Sequence, residues 1–177
     1  MCGIVGLFGW SIPPRAEAAL LRRMVAAVAH RGPDAQDVLA ERGIALGHAR
    51  LSIVDLGGGA QPMSDETGQV AIAFNGEVFN HVELRAELAA RGVRCRTLSD
   101  TEVILRLYLD RGPACLGALN GDFAFAIHDA RSGRLLLARK AASGGVTGFA
   151  DNQALVGVLS AQLWHASFAA RPLAAIA

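Results

Sequence analysis

Residues 1–9 read MCGIVGLFG, a short apolar run punctuated by glycine, which is the pattern of a buried strand. The cysteine directly behind Met1 has two readings. In one, Cys2 is a small hydrophobe at the head of that strand, as free cysteines often are. In the other, Met1 is removed and Cys2 carries a thiol and a free α-amine on the same residue. By itself the stretch favours the first reading, so the rest of the chain has to decide.

Outward from that strand, residues 15–29 place Leu20, Leu21, Met24, Val25 and Val28 on one helical face, opposite Arg22 and Arg23. HRGPD (30–34) breaks the helix, because Gly32-Pro33 cannot continue it. IALGHARLSIVDL (44–56) is rich in strand formers and runs into the glycines at 57–59. QVAIAFN (69–75) predicts a strand that stops at Asn75-Gly76, a turn dipeptide. Asn80 with Glu83, and Ser99 with Glu102, predict capping boxes at the starts of helices 80–91 and 100–111. DFAFAIHDARSGRLLLARK (122–140) predicts a hairpin turning at Ser132-Gly133. Strands cluster towards the ends with helices in the middle, which predicts a layered α+β fold and not a βαβ repeat.

The 177 residues suffice for one domain with a sizeable core, and 52% hydrophobic against 19% charged residues excludes a disordered chain. A net charge of +1 without a basic cluster argues against nucleic acid as a partner. Cys2, Cys95 and Cys115 are odd in number and lack ligand spacing, which argues against a disulfide scaffold or metal site and fits a reducing cytoplasm. The apolar start lacks a signal peptide's basic region, and Gln162 and His165 interrupt the apolar run at 154–170, so no membrane segment is expected.

Four clusters remain: Cys2, Arg50 in GHARLSIVDL, Asn75-Gly76-Glu77, and Asp100 in SDTE. Each has an ordinary reading, as a hydrophobe, a surface ion-pair member, a turn and a first-turn acid. Taken with MCGIVG, HRGPD, QP, FNGEVFN, ELR, SDTEV and FAFAIHD, in order over residues 1–140, they resemble the class II, N-terminal-nucleophile glutamine amidotransferase domain. RGPD (31–34) and RLSIVD (50–55) are most similar to the glutaminase domain of glutamine-hydrolysing asparagine synthetases; sugar-phosphate amidotransferases tend to show RGYDS and RWATHG there.

The resemblance implies an αββα sandwich of N-terminal-nucleophile hydrolase type that hydrolyses the side-chain amide of L-glutamine to glutamate and ammonia. It reverses the plain reading of Cys2 and makes it the nucleophile of a thioester. An α-amine titrates at about 7.7–8.0, close enough to neutrality to serve as the base for its own thiol. Asn75 and Gly76 would supply oxyanion donors. The pocket for the zwitterionic amino acid would comprise Arg50, Leu51, Ser52, Ile53, Val54, Asn75, Gly76, Glu77 and Asp100, with Arg50 for the carboxylate and Asp100 for the ammonium. His48 and Asp34 receive structural roles. No cofactor or metal is implied for this step; ATP and Mg belong to the synthetase domain of such enzymes.

After Lys140 the composition shifts: a glycine-rich linker (141–152) and an expected helical tail (153–177) follow the glutaminase part (1–140). SGGVTG (143–148) lacks the Asp and final Ser of an SGGxDS nucleotide loop and reads as linker. ARKAAS replaces the family's RDR-type segment, so the sandwich is expected to be incomplete at its C-terminal strands. LVGVLSAQLWHASF (155–168) is similar to the last helix of some asparagine synthetases, as though the middle of such a chain had been deleted. Besides the enzyme, two readings stay open: an inactive remnant or glutamine-binding module, and a subunit feeding ammonia to a separate synthetase partner. Self-association through the apolar tail is a further expectation.

Overall fold

The computed structural model describes residues 2–8, 14–41 and 44–140, with backbone alone at 14–17. The linker and tail expected at 141–152 and 153–177 lie outside these residues.

Side chains alternate along β3 (Ile44–Arg50), and that alternation organises two layers at once. Ala45 and Ala49 face α1 (Pro14–Ala27), which covers this sheet with Leu21 and Val25 fully buried. Burial of two such side chains contributes about 1.5–3 kcal/mol each. Gly47 lets the helix approach, since a Cβ there would lie 2.4 Å from Val25 Cγ2. Ile44 and Leu46 face the opposite way, into a layer shared with the second sheet.

The first sheet has the order β1-β3-β2, all antiparallel, with β1 spanning Gly3–Phe8 and β2 spanning Ala35–Glu41. The second has the order β4-β5-β6-β7, formed by Met63–Ser64, Val70–Val78, Gly121–Asp129 and Arg134–Lys140. Alternation again divides its faces. Ala71, Ala73 and Ala126 meet Ile44 and Leu46, small residues against large, while Val70, Ile72, Phe74, Phe125 and Ile127 pack under α2 (His81–Ala90) and α3 (Asp100–Arg111). The layers therefore run helix, sheet, sheet, helices: the αββα sandwich that the resemblance implied.

Several local expectations change. β3 ends at Arg50, so residues 51–56 form a loop and not the second half of a strand. β5 runs through Asn75-Gly76 to Val78. Gly76 is needed for close approach and not to stop the strand: its φ is 139°, and a Cβ would stand 2.2 Å from the Asp122 carbonyl oxygen on β6. Asn80 makes no cap bond; its side chain donates to Ala118 O at 2.9 Å and accepts from Asn120 N at 3.0 Å. Ser99 does cap α3 by accepting from Thr101 N at 3.1 Å. Glu102, its expected reciprocal partner, accepts instead from the N–H groups of Arg96 and Thr97 and from Arg106. β2 had no counterpart in the sequence pattern, because it is an edge strand whose Gln36 and Asp37 lie exposed.

Candidate active site

The layer between the sheets opens at one end into a cavity of about 250 Å³. Cys2 precedes β1 on the side of Ile4, Arg50 closes β3 on the side of Ile44 and Leu46, and Asn75 lies on the side of Ala71 and Ala73 along β5. Residues at the start of β1, the end of β3 and within β5 thus converge there, and Asp100 at the start of α3 also lines the cavity. The antiparallel register that sets Gly3 opposite Ala49 brings the start of β1 and the end of β3 together.

Cys2 is half-buried, and its Sγ accepts the Leu51 N–H at 3.3 Å. The Sγ also stands 3.5 Å from Leu51 O, and Arg31 Nε donates to Cys2 O at 3.0 Å. HRGPD therefore braces the site, whereas α1 has already ended at Ala27, short of the expected 29. Asp34 has the structural role expected of it: its N–H donates to Arg50 O at 3.0 Å, and its Oδ2 accepts from Ser52 N at 2.7 Å.

Arg50 is nearly buried and curls around its own loop. Nη1 donates to Leu56 O at 3.2 Å, and Nη2 reaches Asp55 O at 2.6 Å and Val54 O at 3.4 Å. Guanidinium carries five N–H donors, and these bonds to described residues engage one on Nη1 and two on Nη2. Asp100 is also buried; it accepts from Val78 N at 3.2 Å and Thr101 N at 2.9 Å. Burial pushes its carboxyl above the usual aspartate range despite those hydrogen bonds. A cation and a buried acid thus face one small cavity. The Oδ1 of Asn75 is buried there too, and it meets no hydrogen-bond partner among the described residues.

Leu51, Ile53, Val54, Gly76 and Glu77 also line the cavity. Ser52 does not, and its N–H is turned to Asp34. Motif reading missed, among others, Gln61, Phe79, Ser99, Thr101 and Asp122 in the lining; the available signal was that Gln61 lay in the quoted QP, Phe79 in FNGEVFN, and Ser99 and Thr101 in SDTEV. Among the described residues, no group of three or more His, Cys, Asp or Glu could hold a metal ion, and no helix is long and apolar enough to cross a membrane.

Residues 1–144 match the family model described as a glutamine amidotransferase domain. The chain belongs to that family. The amidotransferase domain is 40% identical over 141 residues to asparagine synthetase [glutamine-hydrolyzing] 3 of Bacillus subtilis (strain 168), covering 78% of this chain and 23% of that one. It is 42% identical over 142 residues to asparagine synthetase B [glutamine-hydrolyzing] of Escherichia coli (strain K12), covering 78% of this chain and 25% of that one. The chain thus spans about a quarter of the length of these curated relatives. Among solved structures it resembles the glutamine phosphoribosylpyrophosphate amidotransferase of B. subtilis, with a TM-score of 0.58 and 24% identity over 73% of this chain and 35% of that one. That likeness shows the shared N-terminal-nucleophile fold of the amidotransferase domain.

Proposed function

We propose that the domain hydrolyses L-glutamine to glutamate and ammonia, as the glutaminase part of an asparagine-synthetase-type system. The observation that carries this reading is the convergence of Cys2, Arg50, Asn75 and Asp100 on one small cavity. In it, Arg50 receives the substrate carboxylate and Asp100 its ammonium, which places the side-chain amide towards Cys2. The thiol gives its proton to the α-amine freed by removal of Met1, and sulfur attacks the amide carbon. The oxyanion takes hydrogen bonds from the Asn75 side chain and the Gly76 N–H; one such donor typically lowers the barrier by about 2.7–4 kcal/mol. The C–N bond breaks as the Cys2 α-ammonium returns that proton to the leaving nitrogen, releasing ammonia and leaving a thioester. Water then attacks the thioester, giving glutamate and the free thiol.

No step calls on a cofactor or metal, and a reducing compartment such as the cytoplasm keeps the thiol free. The relatives' printed names support a synthetase domain, in the same assembly, as acceptor of the ammonia. Intact-mass measurement after treatment with a glutamine-like electrophile tests the reading. The expected result is loss of Met1 and one adduct on Cys2, suppressed by L-glutamine. Ammonia release by protein that retains Met1, or an adduct confined to Cys95 or Cys115, would overturn it.

A further inference from the structure

We propose that His48 and Gln61 are positioning residues that clamp the Phe74 peptide of β5 and thereby set the place of the adjoining Asn75 amide. Their role in turnover rests on the glutaminase reading above.

β4 pairs with β5 only at Met63–Ile72 and Ser64–Ala71. Continued pairing would set Pro62 opposite Ala73 and Gln61 opposite Phe74, but the strand has ended, and proline has no N–H to give. The unpaired backbone at Phe74 is met by side chains. Phe74 N donates to Gln61 Oε1 at 2.6 Å, and Phe74 O lies 2.9 Å from His48 Nε2. Both side chains are buried. A histidine facing a carbonyl must carry its proton on that nitrogen, so His48 is the Nε2–H tautomer. This explains why the face of β3 that begins with Ile44 and Leu46 turns polar at position 48.

The same bonds join the supports of the cavity. His48 stands two residues before Arg50 on β3. Phe74 immediately precedes Asn75. Gln61 Nε2 donates to Thr101 Oγ1 at 3.2 Å, and Thr101 immediately follows Asp100. One buried network therefore reaches the backbone beside the cation, the amide and the acid. Asn75 depends on it most, because its Oδ1 meets no partner among the described residues and its backbone is left to aim the side chain.

The test is a double-mutant cycle in the full chain, with melting temperature measured for every variant. His48→Met should lower kcat for glutamine by about tenfold or more at nearly constant KM, since an oxyanion donor acts in the transition state. His48→Gln, which restores an N–H near the Nε2 position, should recover most of that loss. In an Asn75→Ala background, His48→Met should cost about twofold or less, because the lost donor is the same. Equal losses in both backgrounds, or no recovery with His48→Gln, would overturn the clamp. A separate readout needs no turnover: Gln61→Leu should speed hydrogen exchange of the Phe74 amide by about tenfold or more. Unchanged Phe74 protection would also overturn the clamp. A wild-type protein that releases no ammonia from glutamine, with that exchange effect present, would sink the glutaminase reading alone.

Discussion

Asp55 Oδ2 accepts the Leu98 N–H at 2.7 Å, tying the loop after β3 to the turn before α3. The other carboxylate oxygen accepts Gly58 N at 2.9 Å, and the Asp55 carbonyl receives Arg50 Nη2 and Gly59 N. Asp55 adopts a left-handed φ of 48°, which aspartate tolerates better than most residues. One residue thus links the wall that carries Arg50 to the wall that carries Asp100.

Asp55→Ala should therefore raise KM for glutamine severalfold while leaving kcat within about twofold, because it loosens binding geometry and not the reacting atoms. Steady-state ammonia release gives both constants. A kcat loss at constant KM would contradict this assignment.

Cys2→Ala should abolish ammonia release and keep glutamine binding, measured by calorimetry, since the proposed mechanism gives the covalent bond to the thiol and the hold on the amino acid to Arg50 and Asp100. Activity surviving in this variant at the wild-type level would remove Cys2 from the mechanism.

Gly76→Ala should lower both stability and turnover. Its φ of 139° disfavours a side chain, and the added Cβ meets the Asp122 carbonyl at 2.2 Å. A strained backbone of this kind costs on the order of 1–3 kcal/mol before the clash is relieved. Urea denaturation checks the stability, and a variant as stable as wild type would show that β5 and β6 can separate here without cost.

Asp100→Asn should weaken glutamine binding by about 1.5–3 kcal/mol, the scale of a hydrogen bond to a charged group. The folded Asp100 carboxyl titrates above its ordinary value because it is buried, so it becomes protonated earlier as pH falls. The acid limb of glutamine affinity should accordingly lie above the usual aspartate range and vanish in Asp100→Asn. Calorimetric titrations across pH would show the limb, and its persistence in the variant would assign it elsewhere.

His48 gives a pH dependence of stability. Burial lowers its pKa from 6.5 to about 4, opposed by the hydrogen bond to Phe74 O. As pH falls, the unfolded chain takes up this proton first. Stability is therefore complete above the unfolded value and is lost between about pH 6.5 and 4, by an amount on the order of 3 kcal/mol. His128, also lowered by burial, adds to the same window. Glu66, held down to about 2 by Arg106, and Asp129, held to about 2 by Arg131, add losses that start only near ordinary carboxylate values. Urea titrations at pH 7 and pH 5 should differ in wild type, and the difference should shrink in His48→Gln to the share that His128 contributes; a flat wild-type profile above pH 5 would refute the linkage.

The sandwich was legible where apolar side chains alternate with a clear period: the first strand, helix α1, β6 and β7 all stood out. β2 was hidden because an edge strand can carry Gln36 and Asp37 on its exposed surface without any periodic signal. Asn75-Gly76 misled for a different reason. The glycine answers to the neighbouring strand's backbone, a long-range demand that a dipeptide rule cannot contain. Asn80 likewise gave up its helix cap to hold Ala118 and Asn120, partners far along the chain. At the cavity, Cys2, Arg50, Asn75 and Asp100 were readable within motifs, whereas the contacts of Gln61 and His48 with the Phe74 peptide depend on where β4 stops pairing with β5, which no local pattern contains.

The alternation along β1 makes the facing of the thiol a matter of parity. Removing one residue between Cys2 and Val5 would bring the cysteine to the place now held by Gly3. A Cβ at that place would lie 2.9 Å from Val28 Cγ2, on the side of the helix and away from the cavity. Removing or adding two residues would restore the facing but move the sulfur about 6.6 Å along the strand, out of reach of Leu51. The number of residues separating Cys2 from Val5 is therefore under as strict a constraint as their chemical identity.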